Sequence, residues 1–86
     1  MKVIQTQEVV MYTTPWCGYC IRLKRQMAEQ GIAFTEVDVD ADHSYDETIK
    51  RASGGFRTVP TLKVGGRLLV NPRVAEVKAA LEAGNG

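Results

Sequence analysis

The chain has 86 residues, 44% of them apolar, which suffices for one small hydrophobic core without staples. A formal net charge of +1 provides no strong field for nucleic acid or an acidic membrane. No run of eighteen apolar residues is present to span a bilayer, and the first residues, MKVIQTQEVVMYTT, lack the apolar core and small-residue cleavage site of a secretion signal. The expected setting is therefore the cytosol, where structural disulfides rarely persist.

The elements follow in order along the chain. Residues 8–14, EVVMYTT, are β-branched and aromatic and predict a buried strand. Cys20, Leu23 and Met27 then recur at helical spacing, and Gly31 marks the helix stop. Residues 32–40, IAFTEVDVD, alternate apolar and acidic residues and predict a second strand. Tyr45, Ile49 and Ala52 place a short helix between Asp42 and Ser53, closed by Gly54-Gly55. Residues 61–70 predict a hairpin, with Gly65-Gly66 as a tight primed turn between two strand-like runs. Asn71 is the expected N-cap of a last helix, with Pro72 at its first position. Val74, Val77 and Leu81 would form the inner face of that helix, and Gly84 its end. The order β-α-β-α-β-β-α predicts one α/β domain over residues 1–86. Its first β-α-β unit makes a right-handed parallel crossover, giving a mixed four-stranded sheet with three helices. No linker, repeat or low-complexity segment interrupts it.

The chain's only two cysteines lie in TPWCGYC, residues 14–20, beside its only tryptophan. The pair follows a strand and opens a helix, so Cys17 falls at the helix N-terminus and Cys20 one turn inside. Unpaired N–H groups and the positive end of the helix dipole favour an anion there. A free thiol is only about 3% thiolate at neutral pH, whereas helix N-termini and Cys-x-x-Cys motifs lower thiol pKa values to roughly 3.5–7.5. Cys17 is thus the expected nucleophile. Cys20, deeper and protonated, is the expected resolving thiol, able to attack a mixed disulfide on Cys17. A structural zinc site needs about four ligands, and only His43 remains as a strong further candidate. A disulfide across so short a loop would restrict the unfolded chain little. Acids cluster at residues 36–47 and bases at Arg22, Lys24 and Arg25, both consistent with solvated surface. Downstream, RTVPT at residues 57–61 places Pro60 at the start of the third strand, where a proline is tolerated and a cis bond is one option.

Strand, WCGYC, helix, strand, helix, TVP, hairpin and helix together resemble the thioredoxin fold in its compact glutaredoxin form, over nearly the whole chain. Within that group YTTPWCGYC, GGFRTVPTLKV and NPRVAEVKAAL resemble the mycoredoxins. The resemblance implies a thiol–disulfide oxidoreductase with a redox disulfide between Cys17 and Cys20. It implies a cis bond before Pro60, and a substrate strip at Thr58 and Val59 that pairs like a short added strand. It also implies Tyr19 and Arg57 beside the bound thiol, and Trp16 as an apolar wall. The aromatics could equally be ordinary amphipathic packing.

Glutathione-using members of the group carry Gly-Gly-x-Asp where the last helix begins, whereas this chain has Asn71-Pro72-Arg73-Val74. That departure implies mycothiol as co-substrate, with bacillithiol the nearest alternative and glutathione disfavoured. No bound flavin, nicotinamide or metal is expected. The expected partners are S-thiolated or disulfide-containing proteins and a small thiol, with no nucleic acid and no membrane, and the expected state is a monomer. Two other roles remain open: a thioredoxin-like donor fed by a flavoprotein reductase, and an iron–sulfur cluster carrier.

Overall fold

The computed structural model describes residue 5 and residues 7–85; the reading of the chain's first residues falls partly outside them. Strand β1 (Val9–Thr13) leads into helix α1 (Gly18–Glu29) and strand β2 (Thr35–Asp38). A 3-10 turn (His43–Tyr45) and helix α2 (Asp46–Ala52) follow, then strands β3 (Thr61–Val64) and β4 (Arg67–Val70) and helix α3 (Val74–Asn85). The sheet order is β2-β1-β3-β4, with β1 parallel to β2 and antiparallel to β3. Its register sets Met11 opposite Leu62, and Leu62 opposite Leu69. This is the α/β architecture, helix count and mixed sheet that the element order predicts.

Strand β1 is central and covered on both faces, which explains its nearly unbroken apolar run. Val9 and Met11 face the larger core with Leu23 and Met27 of α1 and Val77 and Leu81 of α3. Tyr12, one residue out of phase, faces Val39 and Ile49 on the α2 side, and its ring lies 5.1 Å from that of Tyr45. Each fully buried Met, Leu or Ile contributes roughly 1.5–3 kcal/mol relative to an exposed position. The two sides together clamp β1, and hence the loop that follows it.

The boundaries differ from expectation where the termini have other partners. Gly31 ends α1 as predicted, at φ +72°, with its N–H on the Ala28 carbonyl and that of Ile32 on the Met27 carbonyl. The β2 ladder covers only four residues; before it, the N–H and carbonyl of Ala33 pair with the Gln5 side chain instead of with β1. In the hairpin, Gly65 alone of the glycine pair takes positive φ, at +59°, the pattern of a two-residue turn with glycine in its first central place. A side chain there would also run into Gln7.

Asn71 does not cap α3. Its φ is +45°, and its N–H donates to the Pro60 carbonyl at 2.8 Å, continuing the hairpin past its last paired residues. The helix starts two residues later than Pro72 would have it. The Arg73 carbonyl accepts from Glu76 N (2.9 Å) and Val77 N (3.2 Å), and Glu76 Oε1 accepts from Arg73 N (3.1 Å), one arm of a capping box. Nor does Gly84 end α3, which runs on to Asn85. An interior glycine costs about 1 kcal/mol, too little to stop a helix anchored by Val77 and Leu81. No helix among the described residues is long and apolar enough to cross a membrane.

Candidate active site

Cys17 is the N-cap of α1. Its backbone is extended (φ −82°, ψ 109°), and its Sγ accepts the N–H of Cys20 at 3.2 Å, where a serine or aspartate oxygen would ordinarily sit. Its own N–H donates to the Thr14 carbonyl at 3.3 Å, tying the cap to the end of β1. No acidic residue lies in the first turn to oppose negative charge on the sulfur. Cys17 keeps 5% of its surface in solvent and Cys20 none, and both are free thiols.

Burial pushes the Cys20 thiol up to about 11, helped by the neighbouring Cys17 sulfur and partly opposed by the Thr13 hydroxyl and the Thr14 backbone. One turn of helix thus separates an outer sulfur that accepts a backbone hydrogen bond from an inner sulfur held protonated. Such a pair can form a mixed disulfide outside and break it from within.

The Val59–Pro60 peptide is cis, as the resemblance implies, and the Val59 carbonyl lies 3.9 Å from Cys17 Sγ. Pro60 is buried, and the Thr58 carbonyl accepts from Thr61 Oγ1 at 2.7 Å. Thr58 and Val59 are both partly buried beside this bend. Trp16 and Tyr19 stand out on either side of the outer sulfur in sequence, 70% and 68% exposed. Their exposure argues against a role in the core for either ring.

Arg57 has other neighbours. Its guanidinium donates to Asp40 Oδ1, contacts the Val39 carbonyl (3.4 Å) and lies 3.8 Å from Asp46. Asp40 also accepts the indole N–H of Trp16 at 2.8 Å. The indole and Arg57 together hold the Asp40 carboxyl below the usual carboxylate range. Arg57 therefore reaches the site through Asp40 and Trp16, and part of the acidic cluster serves to hold both.

On the other side, a groove of about 430 Å³ opens between α1 and the start of α3. Tyr19, Arg22 and Gln26 line one wall, Asn71 and Arg73 the other, with Pro60 among the residues between. Sequence reasoning tied Asn71 to the choice of thiol through its junction but did not assign Arg22 or Gln26 to a site. The available signal was the spacing of Tyr19, Arg22 and Gln26, which puts them on one outward stripe of α1. Among the described residues, no group of three or more His, Cys, Asp or Glu side chains is placed to hold a metal.

A family profile described as Glutaredoxin matches residues 9–69. A Mycobacterium tuberculosis protein provisionally named a glutaredoxin is 46% identical over 77 residues, covering 88% of this chain and 92% of its own. Mycoredoxin 1 of Corynebacterium glutamicum is 38% identical over 76 residues, covering 87% of this chain and 94% of its own. The structure of the glutaredoxin-like protein NrdH-redoxin from Escherichia coli superposes with a TM-score of 0.71 at 25% identity, over 84% of this chain and 92% of that one. With a thioredoxin fold, a cysteine pair at the start of α1 and these relatives over most of its length, the chain belongs to the glutaredoxin family of thiol–disulfide oxidoreductases.

Proposed function

We propose that this protein reduces mixed disulfides between proteins and mycothiol, working in the cytoplasm as a monomeric single domain. Cys17 attacks the mycothiol sulfur of the mixed disulfide. The protein's cysteine leaves as the thiolate and takes up a proton, and the mycothiol stays on Cys17. A second mycothiol thiolate then attacks that mycothiol sulfur, giving mycothiol disulfide and restoring Cys17. Alternatively Cys20 loses its proton and attacks Cys17, releasing mycothiol and leaving the Cys17–Cys20 disulfide. Thr58, Val59 and Pro60 present backbone to the bound thiol, Trp16 and Tyr19 flank it, and Arg57 holds the Trp16 side through Asp40. No bound flavin, nicotinamide or metal takes part.

The observation that carries the choice of thiol is the junction before α3. A clamp for a thiol's carboxylate needs backbone N–H groups free at that point. Here the Asn71 N–H is engaged by the Pro60 carbonyl at 2.8 Å, Pro72 has none, and the Arg73 N–H is engaged by Glu76 at 3.1 Å. Three successive positions have no free backbone N–H for a carboxylate, and Glu76 adds like charge. Mycothiol is a sugar-linked cysteine without carboxylates, and Mycoredoxin 1 is among the relatives.

The test is the second-order rate constant for reducing one peptide as its mycothiol and its glutathione mixed disulfide. A lost charge-assisted hydrogen bond is worth about 1.5–3 kcal/mol, so mycothiol should be favoured by at least about tenfold. Equal constants, or a preference for glutathione, would overturn the assignment. A second reading, a thioredoxin-like donor fed by a flavoprotein reductase, draws on the likeness to NrdH-redoxin, whose structure is described by a thioredoxin-like activity profile. Turnover with thioredoxin reductase and no small thiol would favour that reading instead.

A further inference from the structure

We propose that Arg22 and Gln26 on α1, facing Asn71 across the groove, form a subsite for the polyhydroxylated, non-sulfur part of the small thiol. This rests on the thiol assignment above and adds to it the residues that read the sugar.

The groove begins at Tyr19 and Pro60, the neighbours of the cysteine pair and of the Val59 carbonyl, and continues along α1 to Gln26. At 1.5 Å per residue, the nine residues from Cys17 to Gln26 cover about 13 Å of helix. A single cysteinyl unit reaches only about 3.5 Å. A ligand that binds Cys17 and fills the groove therefore carries a substantial extension beyond its thiol.

The walls indicate what kind of extension. Arg22, Gln26, Asn71 and Arg73 all present N–H donors, and no acidic side chain lines the groove. Tyr19 adds an exposed ring whose apolar face and hydroxyl suit a sugar's alternating C–H and O–H surface. Arg22 is also the least engaged cation on α1. Lys24 pairs with Glu36 at 2.9 Å and Arg25 approaches Glu29 at 3.9 Å, whereas Arg22 has no carboxylate partner among the described residues. Arg73 is held at 3.5 Å from Glu76. The planar fork of Arg22 can donate to two adjacent oxygens at once, a match to neighbouring ring hydroxyls. Neutral oxygens suit this groove better than a carboxylate held at residues 71–73, because the backbone N–H groups of Asn71 and Arg73 are engaged and Pro72 has none.

The experiment compares wild type, Arg22→Ala and Gln26→Ala on one peptide carrying mycothiol, glutathione or 2-mercaptoethanol in mixed disulfide. The last keeps the reacting sulfur and removes the sugar, so it also reports whether each variant is folded. Arg22→Ala is expected to lose at least about tenfold in rate constant with mycothiol, for the loss of its charged donor fork, and Gln26→Ala about fivefold, for one lost neutral hydrogen bond. With 2-mercaptoethanol both should stay within about twofold of wild type, since no hydrogen bond is removed there. Equal losses on mycothiol and 2-mercaptoethanol, or no loss on mycothiol, would overturn the subsite. A loss confined to glutathione would also overturn it, by showing that Arg22 reads a carboxylate. The thiol assignment is judged separately, by the wild-type ratio of mycothiol to glutathione.

Discussion

Raising the pH should activate Cys20 over a range in which an ordinary thiol is already saturated. Cys20 has no solvent-exposed surface, and burial, with the Cys17 sulfur beside it, pushes its thiol up to about 11. At pH 7 a group with that pKa is about 0.01% thiolate, against about 3% for a free cysteine. The ratio, about 300-fold, is the slowing expected from ionisation alone, before any steric barrier. Because the folded-state pKa is raised, the protonated form persists through the pH where an unfolded cysteine ionises, and the thiolate appears only near 11. The Cys17→Ser variant isolates Cys20 for measurement. Its alkylation by iodoacetamide, followed by peptide mass spectrometry, should rise about tenfold per pH unit from 7 to 10. In the wild-type protein at pH 6, label should enter Cys17 first. A bend in the Cys20 profile near pH 8.5, or labelling of Cys20 ahead of Cys17, would refute the argument that burial keeps the inner sulfur protonated.

Two further outcomes follow from the same geometry. Cys17→Ser should abolish turnover, while Cys20→Ser should retain part of it on a small-thiol mixed disulfide, because exchange with that substrate needs one protein sulfur; equal inactivity of the two in a peptide-reduction assay would favour the dithiol, thioredoxin-like reading. Asp40→Ala should free the indole of Trp16, the chain's only tryptophan, and lower its fluorescence anisotropy, whereas Asp40→Asn keeps an acceptor and should preserve most of it. Because its neighbours hold the Asp40 carboxyl low, wild-type Trp16 emission should stay constant as the pH falls past the ordinary aspartate value of about 3.9 and change only below it; a midpoint at or above that value would show that the indole does not sense this carboxylate.

The amino-acid sequence by itself determined the features that depend on neighbours in the chain. The β-branched, nearly unbroken apolar run of residues 9–13, the helical recurrence of Cys20, Leu23 and Met27, and the glycine after α1 are local matters of composition, periodicity and backbone freedom. The placing of Cys17 at a helix start followed from them, because a strand before and a helical stripe after leave few other places for the cap. Tertiary structure decided what depends on distant partners. Asn71 has the composition of an N-cap, yet the Pro60 carbonyl, eleven residues earlier, takes its N–H and leaves the helix to begin after Pro72. Arg57 sits beside the TVP segment in sequence, but Asp40 and Asp46 are closer partners for its charge than the groove. Arg22 reads as solvated helix surface, and Gln26 has no signal of its own, until α3 packs across α1 and sets Asn71 and Arg73 opposite them. A hydrogen bond or an ion pair is won by whichever partner the fold brings nearest, and that competition is not written in any short stretch of chain.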